Sequence, residues 1–193
     1  LVVAIAGDID KHLLSIKPAV EDWFGWLKEA SGADFEKVST DSQDDPNLTV
    51  VTKPDAKQAH LTLGLRTFAR GSEDKFAWNL FNLIMGVSFT SRLFKEVREK
   101  RGLCYHVRSS SDNWADVGYW SIYAGVATDK VTEATKAIMV ELVKVADSGV
   151  TDEEVAVAIK RLKTMLAFKS EDPEFMGEYY GRQEVFREPI VTL

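Results

Sequence analysis

The sequence predicts an α+β protein, a layered and antiparallel-rich sheet with helices on one side. Two pairs of short strand-like segments carry this reading: Leu48–Thr52 with Gln58–Leu65, and Cys104–Ser110 with Val117–Val126, each pair separated by turn residues. Between and after them, apolar residues recur at three- and four-residue steps over long stretches, which is the helical period. A doubly wound parallel sheet fits this order less well, because consecutive strands joined by short turns pair antiparallel.

Taken in order, Leu1–Gly7 is a continuous apolar run with valines and an isoleucine, and it predicts a strand buried on both faces. Asp8 is expected to cap a helix from Lys11 to Phe24, with a kink or restart at Pro18, which has no N–H to donate. Residues 30–47 lack periodicity and hold serines, aspartates and Pro46, so they read as an exposed connection. Pro54-Asp55 marks a turn, and Ala59, Leu61, Leu63 and Leu65 then alternate with polar positions as a half-buried strand.

Asp74–Met85 and Ser91–Lys100 read as helices, the second stopped by Gly102. Ser111-Asp112-Asn113 is expected to turn the second strand pair. Val131, Ala134, Ile138, Leu142 and Val145 define a helix that Gly149 ends. Thr151 and Glu154 form a capping box that opens the next helix, and Pro173 starts the last.

With 193 residues, 45% apolar and 28% charged, the chain is long enough for one core, so residues 1–193 are read as one domain. The formal charge of −6 argues against broad nucleic-acid or anionic-membrane binding, which need a basic face. No run approaches the roughly 18 apolar residues of a membrane span, and no targeting segment is visible, which leaves the compartment open. The start in mid-hydrophobic run at Leu1 and the uncharged end at Val191-Thr192-Leu193 predict a piece of a longer protein.

One cysteine cannot form an internal disulfide, and His12, His60 and His106 lie far apart. A metallopeptidase helix needs two histidines and a carboxylate as H-E-x-x-H or H-x-x-E-H, and neither string occurs, so no metal site is expected in this chain. Cys104 with His106 two residues on would share a strand face, but a small residue packed under a sheet is the better reading of Cys104.

The informative stretch is Arg92–Arg108, with six basic and two acidic residues in an acidic chain. A charge run is usually a solvated helix face, and a corner packing pair is a second plain reading. The geometry adds something more specific. Arg98 falls near a helix end, Gly102 permits a sharp reversal and Tyr105 starts the next strand, so a guanidinium and a phenol can converge there as donors to a peptide carbonyl.

The string Ser-Arg-Leu-Phe-Lys-Glu-Val-Arg-Glu-Lys-Arg-Gly-Leu-Cys-Tyr, with Leu1–Asp10, Gln58–Gly64 and Gly118–Gly125, resembles the pitrilysin/insulinase-type zinc metallopeptidases, which include the mitochondrial processing peptidases. The part resembled is the domain without the zinc motif. Gly86-Val87-Ser88-Phe89-Thr90 is less glycine-rich than the corresponding loop of that family. The resemblance implies the LuxS/mitochondrial-processing-peptidase-like metallohydrolase fold and a clamshell enzyme. In it this chain supplies Arg98 and Tyr105 to bound peptide, while zinc sits on a facing H-x-x-E-H domain of the same chain or of a partner subunit. It implies no catalytic residue or cofactor in this chain, and inactivity of the chain alone. The alternative it leaves open is a structural or peptide-holding subunit of the same fold.

Overall fold

The computed structural model describes residues 1–28, 36–38 and 43–193. These divide into two compact units, one of residues 37–162 and one of residues 1–36 with 163–193. The larger unit is built on an antiparallel sheet of β1 (Ala59–Thr67), β2 (Cys104–Asn113) and β3 (Gly118–Val126), in the order β1-β3-β2. β3 is central because both its edges are paired, one with β1 and one with β2; on its faces Trp120, Ile122 and Ala124 are buried, and Tyr119, Ser121 and Tyr123 alternate with them. The protein is α+β with an antiparallel sheet, as the sequence predicts.

The helical elements of this unit cover the Trp120 face. α2 (Lys75–Asn82) runs on into a π-helical turn, Leu83–Val87. Trp78 and Phe81 pack on Trp120 with ring centroids 6.1 and 5.5 Å away. Asn82 joins helix to sheet, its Oδ1 accepting from the Trp120 indole at 2.7 Å and from the Ser109 hydroxyl at 2.6 Å. Gly86 permits the close approach, since a Cβ there would stand 2.5 Å from the Ser109 backbone nitrogen. A second π-helical segment, Phe94–Glu99, buries Val97 completely, as the residue before it, Leu93, is buried, beside Met85, Ile122 and Ile138. Burying each such side chain contributes about 1.5–3 kcal/mol.

α3 (Val131–Ser148) buries Ala134 and Ile138 as its period predicts, and also Glu141, whose carboxylate accepts from Lys144 at 2.7 Å. Gly149 ends it with φ of 69°. α4 (Asp152–Lys169) opens on the expected capping box: Glu154 N–H donates to the Thr151 hydroxyl and Thr151 N–H to the Glu154 carboxylate, at 3.2 and 2.8 Å.

In the smaller unit, α1 (Leu13–Phe24) passes through Pro18 without interruption, so the expected restart is absent. His12 rather than Asp8 occupies its N-cap position and gives no side-chain cap. α5 (Pro173–Val185) carries Pro173 in its first turn, with the Asp172 carboxylate accepting from the Glu174 N–H at 2.9 Å.

Three further expectations are corrected. Leu1–Ala6 is not a strand: it pairs with no described strand and runs beside the small residues of α5, where a Cβ at Gly181 would stand 2.9 Å from Ala4 Cβ. Leu48–Thr52 has strand composition but joins no ladder, and Leu48, Val50 and Val51 are exposed. Composition suits a residue to a pleated surface, and only a paired neighbour makes it a strand. The turn between β2 and β3 falls at 114–117 rather than 111–113, because the cross-strand bonds of β2 run on to Asn113, opposite Gly118. Part of the expected connection over 30–47 lies outside the described residues.

Candidate functional site

The basic stretch forms a corner between the second π-helical segment and β2. Leu93 and Val97 anchor the helical side in the core, which leaves Phe94 and Arg98, four residues apart, on a half-buried face. The wider π turn is evident where the Lys100 N–H reaches back to the Lys95 carbonyl at 2.9 Å, and such turns recur at functional sites. Gly102, at φ of 60°, then reverses the chain. Its N–H returns to the Arg98 carbonyl at 3.0 Å, and the next N–H, of Leu103, to Val97 at 3.1 Å.

β2 begins with a bulge. Cys104 lies opposite Val126 and His106 opposite Gly125, so Tyr105 is an extra residue with no partner of its own. The bulge breaks the alternation, burying Cys104 and Val107 while exposing Tyr105 and His106 together. Tyr105 is 78% exposed and turns toward the helix, where the Arg98 guanidinium lies 5.6 Å from its ring centroid and 4.7 Å from that of Phe94. The structure therefore brings together the two side chains singled out in the sequence.

The cations of this stretch divide by partner. Arg92 is held by Glu154, and Glu96 accepts from both Lys100 and Arg101, which holds its carboxyl below the usual range, chiefly through the Lys100 bond. Arg98 pairs with no carboxylate among the described residues and lies over the Phe94 and Tyr105 rings. A guanidinium engaged through its face keeps its N–H groups, which lie in its own plane, for another acceptor.

Cys104 and His106 do not form a reactive pair. The bulge sends them to opposite faces, and burial pushes the Cys104 thiol up, away from the reactive thiolate. His60 and His106 instead share the open face of the sheet with Tyr123, which hydrogen bonds His60 Nδ1 at 2.7 Å and has its ring centroid 6.0 Å from that of His106. Sequence spacing gave no signal of this grouping, since it depends on the register of three strands. Among the described residues no three His, Cys, Asp or Glu side chains converge as metal ligands. No helix among them is long and apolar enough to cross a membrane.

Comparison with known proteins places this chain in a family. The family model of the peptidase M16 inactive domain matches residues 1–162. An uncharacterized zinc protease of Mycobacterium bovis is 33% identical over 187 residues, covering 96% of this chain and 42% of that protein. The chain thus spans less than half the length of such relatives. Among solved structures, a peptidase M16 inactive domain from Pseudomonas fluorescens aligns with a TM-score of 0.64 and 26% identity, over 69% of this chain and 32% of that one. A protease from Helicobacter pylori shares the fold over 94% of this chain and 44% of its own, with a TM-score of 0.77 at 19% identity. A family match over most of the sequence, joined to relatives that align along nearly all of it, makes this chain a member of the peptidase M16 family, in the form of its inactive domain.

Proposed function

We propose that the chain is the substrate-holding, non-zinc half of a zinc endopeptidase that acts on unstructured peptides. The observation that supports this most is Arg98, held between the Phe94 and Tyr105 rings with no carboxylate partner among the described residues. An extended peptide presents backbone carbonyls at regular intervals, and the Arg98 fork and the Tyr105 hydroxyl are donors suited to them. As the scissile carbonyl becomes tetrahedral, charge gathers on its oxygen, and a donor already in place gains strength there without reorganising. Zinc on a facing domain would supply Lewis acidity and an activated water. This chain's residues would bind, orient and stabilise.

The test uses the full-length protein together with whatever subunit bears H-x-x-E-H. Cleavage of a quenched, unstructured peptide is measured beside zinc content, and binding of the same peptide after zinc is chelated. Cleavage that needs both the zinc-bearing part and Arg98 supports the reading. Binding without cleavage at full zinc loading favours a peptide-holding subunit instead, and an assembly that neither binds nor cleaves peptide refutes both.

A further inference from the structure

The open face of the sheet carries a second set of polar side chains that the Arg98–Tyr105 pair does not use. Strand register places His60 on β1 and His106 on β2 on either side of Gly125 of the central β3. Gly125 has no side chain yet is buried, and the Tyr123 ring stands beside both imidazoles, its centroid 5.9 Å from that of His60 and 6.0 Å from that of His106. A Cβ at Gly125 would stand 3.8 Å from both the Tyr123 hydroxyl and the Gln58 side-chain oxygen, so these groups lie over the glycine. The Arg108 guanidinium lies 5.7 Å from the Tyr123 ring centroid and completes the group.

The charge of this face runs against the composition. The protein is acidic, with a formal charge of −6, yet Arg108, His60 and His106 pair with no carboxylate among the described residues. Asp112, the acidic residue that β2 places on the same face, is engaged by the Tyr119 phenol and pushes its titration up. A planar guanidinium beside imidazole and phenol groups matches a carboxylate in geometry and in sign. This cluster also adjoins the candidate site, because Tyr105 and His106 are consecutive residues exposed together by the bulge.

We propose that the cluster of Arg108, His106 and His60 around Tyr123 is a subsite for an acidic side chain of the peptide held by Arg98 and Tyr105. This rests on the substrate-holding reading and adds a preference to it. The subsite would favour Asp or Glu a few residues from the point where the backbone is held.

Fluorescence anisotropy on the full-length protein, with zinc chelated so that nothing is cleaved, tests the subsite directly. The probes are labelled unstructured peptides in which a single Glu is moved along an otherwise neutral sequence, each beside its Gln counterpart. At one position the Glu peptide is expected to bind about five- to tenfold tighter than its Gln counterpart. Arg108→Gln should erase that difference and leave the Gln peptide unchanged, and Arg108→Lys should keep part of it. Equal binding of Glu and Gln peptides at every position overturns the subsite while leaving peptide holding intact. So does an Arg108→Gln variant that weakens both peptides alike. Absence of binding by every peptide overturns both proposals.

Discussion

Arg92 and Glu154 meet in a two-point fork, Nε to Oε1 at 2.6 Å and Nη2 to Oε2 at 2.7 Å. The same Nη2 donates to the Gly149 carbonyl at 3.0 Å, and the same Oε2 accepts from the Thr151 N–H. The fork therefore merges with the capping box of α4 and ties the start of that helix to the segment that carries Arg98. Planar donors facing a carboxylate at two points make one of the stronger ion-pair geometries, and here both side chains are mostly shielded.

This pair sets an acid limit on stability. The Arg92 bond, foremost, holds the Glu154 carboxyl at about 2, against an ordinary value of 4.5. A carboxyl depressed in the folded state stabilises the protein above the unfolded value, and that contribution is lost as pH falls from 4.5 toward 2. Urea unfolding across this window should show a loss of about 3 kcal/mol from this group. Glu154→Gln should already be less stable at neutral pH and respond less to acid; parallel pH curves for the two proteins would refute the assignment.

Arg98→Ala and Tyr105→Phe separate the two donors proposed to hold substrate. Each should lower peptide cleavage by the assembled enzyme by about 100-fold, the scale of losing one transition-state donor. Zinc content should not change. Tyr105→Phe keeps the ring beside Arg98 and removes only the hydroxyl, so wild-type turnover in that variant would leave Tyr105 a packing role alone.

Gly86→Ala should be costly. The added methyl would meet the Ser109 backbone nitrogen and hydroxyl, both at 2.5 Å, and the helix cannot retreat without opening the contact of Asn82 with Trp120. Overpacking of this kind costs about 1–3 kcal/mol. Gly64→Ala, with nothing within 4 Å, is the control, and equal melting temperatures for the two variants would contradict the packing account.

Gly102→Ala isolates backbone strain from crowding. Nothing stands within 4 Å of the added Cβ, but φ is 60°. A left-handed alanine costs about 1–2 kcal/mol, so thermal unfolding should shift by that amount with no change in the packing of the core. If Gly102→Asn recovers part of the loss, as its tolerance of this region predicts, the cost lies in the backbone.

Much of the helical architecture is legible along the chain because its signals are local. The three- and four-residue steps of α3 and the Thr151–Glu154 box of α4 need only near neighbours to be read. The convergence of Arg98 and Tyr105 is nearly as local, since Gly102 supplies the reversal between them. Strand assignments failed where they depended on a partner: Leu1–Ala6 and Leu48–Thr52 carry the right residues and no ladder.

The sequence by itself determined the α+β class, the end of α3 at Gly149, the starts of α4 and α5 and the corner that joins Arg98 to Tyr105. Only the tertiary structure decided that a bulge would part Cys104 from His106 and turn Tyr105 outward. It alone gathered His60, His106, Tyr123 and Arg108 around Gly125, from residues as much as 65 positions apart. The physical reason is the period of a strand. Which face a side chain takes, and what stands beside it, follows from register with neighbouring strands, and a single unpaired residue inverts the pattern from that point on.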